Sequence, residues 1–162
     1  MGPEALHVTL KFIGEKSEDE DEGIKRSLGT IKADAFAMNF RGYGFFPGAR
    51  APRVFWIGIE AGPKLPSLAA TVDEILTALH IPKEGHAFNP HLTLARGAGG
   101  SGSPRRQKDD RANRNFQGLQ EKLGALPAPE FGTMTAREFS LYQSKRSPGG
   151  SKYTKLAKFA LQ

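Results

Sequence analysis

Phe88-Asn89-Pro90-His91-Leu92-Thr93-Leu94-Ala95-Arg96 decides how the chain is read, because His7-Val8-Thr9-Leu10 states nearly the same pattern close to its start. Only four histidines occur in the 162 residues, and two of them open His-x-Thr-Leu. Each motif lies in a short apolar-rich run bounded by Pro or Gly, Leu6 to Ile13 and Phe88 to Arg96, and such runs predict strands. Alternate residues of a strand share a face, so His7 and Thr9 project one way while Val8 and Leu10 project the other. The same holds for His91 and Thr93 against Leu92 and Leu94. Each strand thus offers an imidazole and a hydroxyl on one face and commits the other face to a core.

Working outward, both motifs open the same series of elements. After the first, Ser17 precedes the acidic run Glu18 to Glu22, which suits a helix start because carboxylates face the positive end of the helix dipole. Ile24, Leu28 and Ile31 supply its apolar stripe. Phe36, Met38 and Phe40 alternate as a strand, Gly42 to Pro52 reads as a loop, and Val54 to Ile59 reads as a second strand. Leu65, Leu68, Val72, Ile75, Leu76 and Leu79 then mark a helix that stops before Pro82, with His80 at its end as a cap or surface residue.

After the second motif comes a basic, glycine-rich loop from residue 97 to 108. Asp109 or Asp110 can cap the next helix, whose stripe would be Phe116, Leu119 and Leu123. Two strands follow, about Thr133 to Ser144 and Tyr153 to Leu161, joined by a turn at Ser147-Pro148-Gly149-Gly150. The expected fold class is α+β: duplicated strand-helix-strand-strand units within a single domain spanning residues 1–162. The second unit is preceded by a helix, whereas the first begins beside Met1. One sheet edge is therefore expected to be exposed or filled by another chain, in a protein otherwise expected to be a monomer.

Composition narrows the chemistry. With no cysteine, disulfides, thiolate catalysis and cysteine-based zinc sites are all excluded. A net charge of +6 makes polyanions plausible partners. No run reaches the roughly 18 apolar residues of a membrane span, and the first residues are not a signal peptide, so the expectation is a soluble, cytoplasmic protein. No His-x-x-x-His, His/Asp/Glu cluster, phosphate-binding glycine loop or nucleophile elbow is present, and neither a metal nor a cofactor is expected. Two histidines can act as base and acid on opposite sides of one reacting centre, because their free pKa of about 6.5 allows proton exchange near neutrality. Threonine hydroxyls and cationic side chains suit an anionic phosphorus centre, and Lys11, on the His7 face, is expected to add charge there. Arg96 is three residues beyond Thr93, so strict alternation puts it on the opposite face unless a bulge intervenes.

The same stretches carry a resemblance. His7 to Glu15, Phe46-Pro47 through Pro52 to Gly58, Phe88 to Arg96, and Phe139 to Ser144 with Tyr153-Thr154 and Leu156 to Leu161 are similar, in order and spacing, to the two-histidine phosphoesterase superfamily. Within it they resemble the RNA 2′,3′-cyclic phosphodiesterases, also called 2′-5′ RNA ligase-like proteins. The resemblance implies a bilobal fold with two antiparallel sheets around a central cleft carrying both HxTx motifs. It also implies hydrolysis of a 2′,3′-cyclic phosphate, on RNA ends or cyclic nucleotides, to a 2′-phosphate without a metal. It places the catalytic pair on His7 and His91, the phosphate-holding hydroxyls on Thr9 and Thr93, and a substrate arginine on Arg96. Tyr153 falls at a position near the cleft. Phe46 is a candidate to stack on a base, since every base offers a π-face. Two other readings use the same residues: an RNA end-binding or repair module with little turnover, and 2′-5′ RNA ligation.

Overall fold

The computed structural model describes residues 5–48, 52–96, 114–124, 129–147 and 150–162, without the side chains of 114–117, 146, 147 and 150. The stretch expected as a basic loop after the second motif, the candidate caps Asp109 or Asp110, the side chain of Phe116 and residues 148–149 lie outside these residues. The elements run α1 (Glu18–Leu28), β1 (Phe36–Phe46), β2 (Val54–Glu60), α2 (Lys64–Ala78) and β3 (His91–Arg96), then α3 (Arg114–Gly124), β4 (Glu130–Ala136), β5 (Glu138–Ser147) and β6 (Gly150–Ala160). They form a four-stranded sheet in the order β3-β2-β1-β4 and a two-stranded sheet of β5 and β6. The chain groups into two compact units, each drawn from three separated segments. One comprises Met1–Val8, Asn39–Glu60 and His91–Gly132; the other comprises Thr9–Met38, Ala61–Pro90 and Thr133–Gln162.

Within the first unit, β2 sets the order. Phe55, Ile57 and Ile59 alternate into the interior and are buried. Tyr43 and Phe45 of β1 join them there, with the Phe45 and Phe55 rings 5.3 Å apart. The opposite face of the same strands carries Val54, Trp56 and Gly58, and it is this face that bears on function.

Within the second unit, local signals in the sequence determine the helices. Ser17 caps α1 in a reciprocal box with Glu20, as the acidic run predicts. The backbone and side chain of Ser17, together with Lys16, hold the Glu20 carboxyl down at about 2. Ile24 and Leu28 are buried, and so is Ile31 beyond the helix end. The helix α2 ends in a Schellman turn: His80 N–H donates to Thr77 O at 3.0 Å and Ile81 N–H to Leu76 O at 3.1 Å. His80 occupies the left-handed position of that turn, with φ of 62°. Leu76 and Ile81, 0% and 2% exposed, close it with an apolar contact position on each side. In the small sheet, Phe139 and Phe159 face each other across the ladder with rings 4.9 Å apart.

Three expectations are corrected. Leu6 to Ile13 is not a strand; it makes one isolated antiparallel bridge, Val8 with Leu92. Thr9 carries no ladder pairing, so the contact stays a single bridge. Gly42 to Phe46 is strand rather than loop, because an irregularity between Phe40 and Tyr43 lets β1 continue to Phe46. Gly42 takes a φ of 67° there and donates to Pro129 O at 3.0 Å, a conformation that favours glycine. Thr133 to Ser144 is two strands, since β4 joins the four-stranded sheet while β5 pairs with β6. Arg137 lies between them, and its carbonyl accepts from Leu161 N–H at 2.8 Å.

Candidate functional site

The second motif is the first four residues of β3, where antiparallel pairing with β2 orients it. His91 stands opposite Gly58 and Thr93 opposite Trp56, so both share the face of Val54, Trp56 and Gly58. Thr93 is the buried polar residue of this face, only 8% exposed. The register then slips: Phe55 pairs with Ala95 while the adjacent Trp56 pairs with Thr93, leaving Leu94 as an extra residue. Arg96 consequently pairs with Val54 and returns to the face of His91 and Thr93. Simple alternation placed it on the other face; the bulge reverses that.

The first motif reaches this face through the bridge between Val8 and Leu92. Val8 and Leu92 are the residues that follow His7 and His91, so the bridge joins the two motifs at equivalent positions. The His7 ring is tied down locally, with Nδ1 2.7 Å from Ala5 O. A carbonyl only accepts, so Nδ1 carries the hydrogen, and Nε2 is the nitrogen able to take or give a proton. Thr9 is half-buried and belongs to the second unit.

Aromatic rings back His91. Phe46, opposite Val54 on β1, stands edge-on to the imidazole at 5.1 Å between centroids and 79° between planes. Phe46 is itself stacked on Trp56 at 5.2 Å and 30°, and Trp56 lies 6.2 Å from His91. One face of the Phe46 ring is therefore occupied by the indole. The Arg53 N–H bond to Phe46 O, at 2.8 Å, closes the connection between β1 and β2 beside these rings.

Lys11, expected to add charge on the His7 face, is engaged within the second unit. Its ammonium forms an ion pair with Asp73 and donates to Pro82 O at 2.7 Å, and its side chain is 2% exposed. Asp73 also accepts from Glu84 N–H at 3.0 Å. The Lys11 hydrogen bond, with Glu84 N–H and the nearby positive charges of Lys11 and Lys83, outweighs burial and holds the Asp73 carboxyl below its usual range. Tyr153 is half-buried on β6 opposite Ser144, within the second unit.

Sequence reasoning passed over Trp56, Gly44 and Asp73 as individual positions. Trp56 was available from alternation alone, because Phe55 and Ile57 claim the core face and Trp56 must take the other. Asp73 was not, since its partner Lys11 is remote in sequence.

Against known proteins, residues 2–143 match the model of the 2′-5′ RNA ligase superfamily. The chain is 33% identical over 154 residues to a protein of Aeropyrum pernix named RNA 2′,3′-cyclic phosphodiesterase, covering 94% of this chain and 80% of that one. A protein of the same name from Archaeoglobus fulgidus is 33% identical over 97% of this chain and 80% of its own length. Among solved structures, E. coli LigT complexed with 3′-AMP superposes with a TM-score of 0.72 at 26% identity, covering 98% of this chain and 78% of that one. The fold is α+β with two antiparallel sheets, as in these neighbours. No helix among the described residues is long and apolar enough to cross a membrane. With the family model matched over most of the chain and the paired His-x-Thr-Leu motifs bridged at Val8 and Leu92, this chain belongs to the 2′-5′ RNA ligase superfamily.

Proposed function

We propose that the chain hydrolyses 2′,3′-cyclic phosphates on RNA ends or nucleotides, opening the ring to a 2′-phosphate. What supports this reading is the antiparallel bridge between Val8 and Leu92, the residues that follow His7 and His91 in the two motifs. Curated relatives named RNA 2′,3′-cyclic phosphodiesterase support it.

In the proposed reaction His91 takes a proton from water as the water oxygen bonds to phosphorus. The bond from phosphorus to O3′ breaks, and His7 gives its proton to that oxygen, while the O2′ bond survives. The Thr93 hydroxyl donates to a non-bridging oxygen, and Arg96 adds positive charge where negative charge builds up. A histidine that enters neutral as base and another that enters protonated as acid give a bell-shaped dependence of rate on pH.

The test is mass-resolved product analysis with a 2′,3′-cyclic-phosphate oligoribonucleotide in EDTA, for the native chain and for His7→Ala and His91→Ala. The expected product is the 2′-phosphate, with each variant slowed about 100- to 10,000-fold. Retained activity in either variant overturns the reading. Tight binding without turnover would instead identify an end-binding module, and joined products from RNA halves would identify a ligase.

A further inference from the structure

We propose that Trp56 is a positioning residue for His91, acting directly and through Phe46; this rests on the hydrolase reading above. His91 begins β3, and an imidazole at a strand end has several rotamers open to it unless neighbours remove them. Here two rings do so. Phe46 meets the imidazole edge-on at 5.1 Å and Trp56 meets it at 6.2 Å and 61°, while Phe46 and Trp56 are stacked on each other. Edge-to-face and offset-stacked pairs have preferred geometries, so the three rings fix one another's orientation.

The indole can lie there because the strand beside it carries glycine. Gly44 pairs opposite Trp56, and a Cβ at Gly44 would come within 2.2 Å of Trp56 Cζ2 and 2.6 Å of Cη2. The indole therefore lies across the backbone of β1 in space that no side chain but hydrogen permits. Its Nε1 is buried with no hydrogen-bond partner among the described residues, so among them packing is what holds the ring. Trp56 also stands opposite Thr93, which places one rigid ring beside both polar residues of the motif.

The experiment compares the native chain with Trp56→Leu, Trp56→Phe and Gly44→Ala by two readouts. In steady-state hydrolysis of a 2′,3′-cyclic nucleotide, Trp56→Leu is expected to lower kcat about 10- to 100-fold with KM within about twofold, and Trp56→Phe to recover most of the loss. In NMR spectra, the His91 ring C–H resonances are expected to move in Trp56→Leu and Gly44→Ala, while those of His7 hold. A raised KM with intact kcat would make Trp56 a substrate contact, and an unmoved His91 resonance would remove the coupling; either overturns the proposal. Where Trp56→Leu loses its cooperative melt, Trp56→Phe and Gly44→Ala decide by the same readouts. The NMR arm needs no turnover, so a native chain that hydrolyses nothing defeats the hydrolase reading while leaving the ring coupling to be judged by its own result.

Discussion

Arg96 stands opposite Val54 in the ladder between β2 and β3, and the extra residue at Leu94 puts it there. Without the bulge, the guanidinium would point to the side of Phe55 and Ala95, away from His91 and Thr93. The register slip beside Leu94 thus decides which face of β3 Arg96 takes.

Removing that charge tests its role. Arg96→Ala is expected to raise KM for a cyclic-phosphate substrate about tenfold or more, the equivalent of losing one charge-assisted hydrogen bond of about 1.5–3 kcal/mol. Deleting Leu94 removes the extra residue, so Thr93, Ala95 and Arg96 alternate regularly and Arg96 stays opposite Val54. That variant should keep a KM close to native. Normal substrate affinity in Arg96→Ala would show that Arg96 does not meet the substrate.

Lys11 and Asp73 give a stability prediction with a defined sign. The folded carboxyl of Asp73 titrates below its ordinary 3.8, first because of its hydrogen bond from Lys11. A group whose folded pKa is depressed contributes stability above its unfolded value and loses it as pH falls through the folded value. Asp73→Asn should therefore melt lower than the native chain at pH 7. The gap should hold down to about pH 4 and close at more acid pH. A gap that stays constant through the acid range would assign the loss to packing rather than to the ion pair.

His80 holds a left-handed backbone with a side chain that opposes it, since φ is 62° in the closing turn of α2. Glycine adopts this conformation without the steric cost of a Cβ, although it loses more freedom on folding. The balance favours His80→Gly by about 0.5–1 kcal/mol, a rise in Tm of roughly 2 °C for a chain of this size, measured by calorimetry. His80→Ala, which keeps the Cβ, should leave Tm close to native. A lower Tm in the glycine variant would mean that the imidazole itself contributes to the turn.

Much of the fold was legible because its cause is local. Ser17 with Glu20 is a capping box written in adjacent residues, and the stripe from Leu65 to Leu79 announces α2 by its own period. The boundaries that failed depended on partners elsewhere. Gly42 and Gly44 read as loop residues because glycine usually marks loops. In the sheet, one accommodates a bulge that bonds to Pro129 and the other makes room for Trp56. Nothing within Thr133 to Ser144 signals that its two halves serve different sheets.

The candidate site divides along the same line. By itself the sequence determined the two His-x-Thr-Leu motifs and, for β3, the side of the strand shared by His91 and Thr93, because alternation is a property of one chain segment. Only tertiary structure decided which partner each strand meets, and in which register. The bridge between Val8 and Leu92 brings the motifs together, and the bulge at Leu94 returns Arg96 to their face. Asp73 draws the Lys11 charge into a buried pair, and the Phe46 and Trp56 rings enclose His91. These are contacts between residues distant along the chain, set by how strands pair and how volumes fill, and no local pattern encodes them.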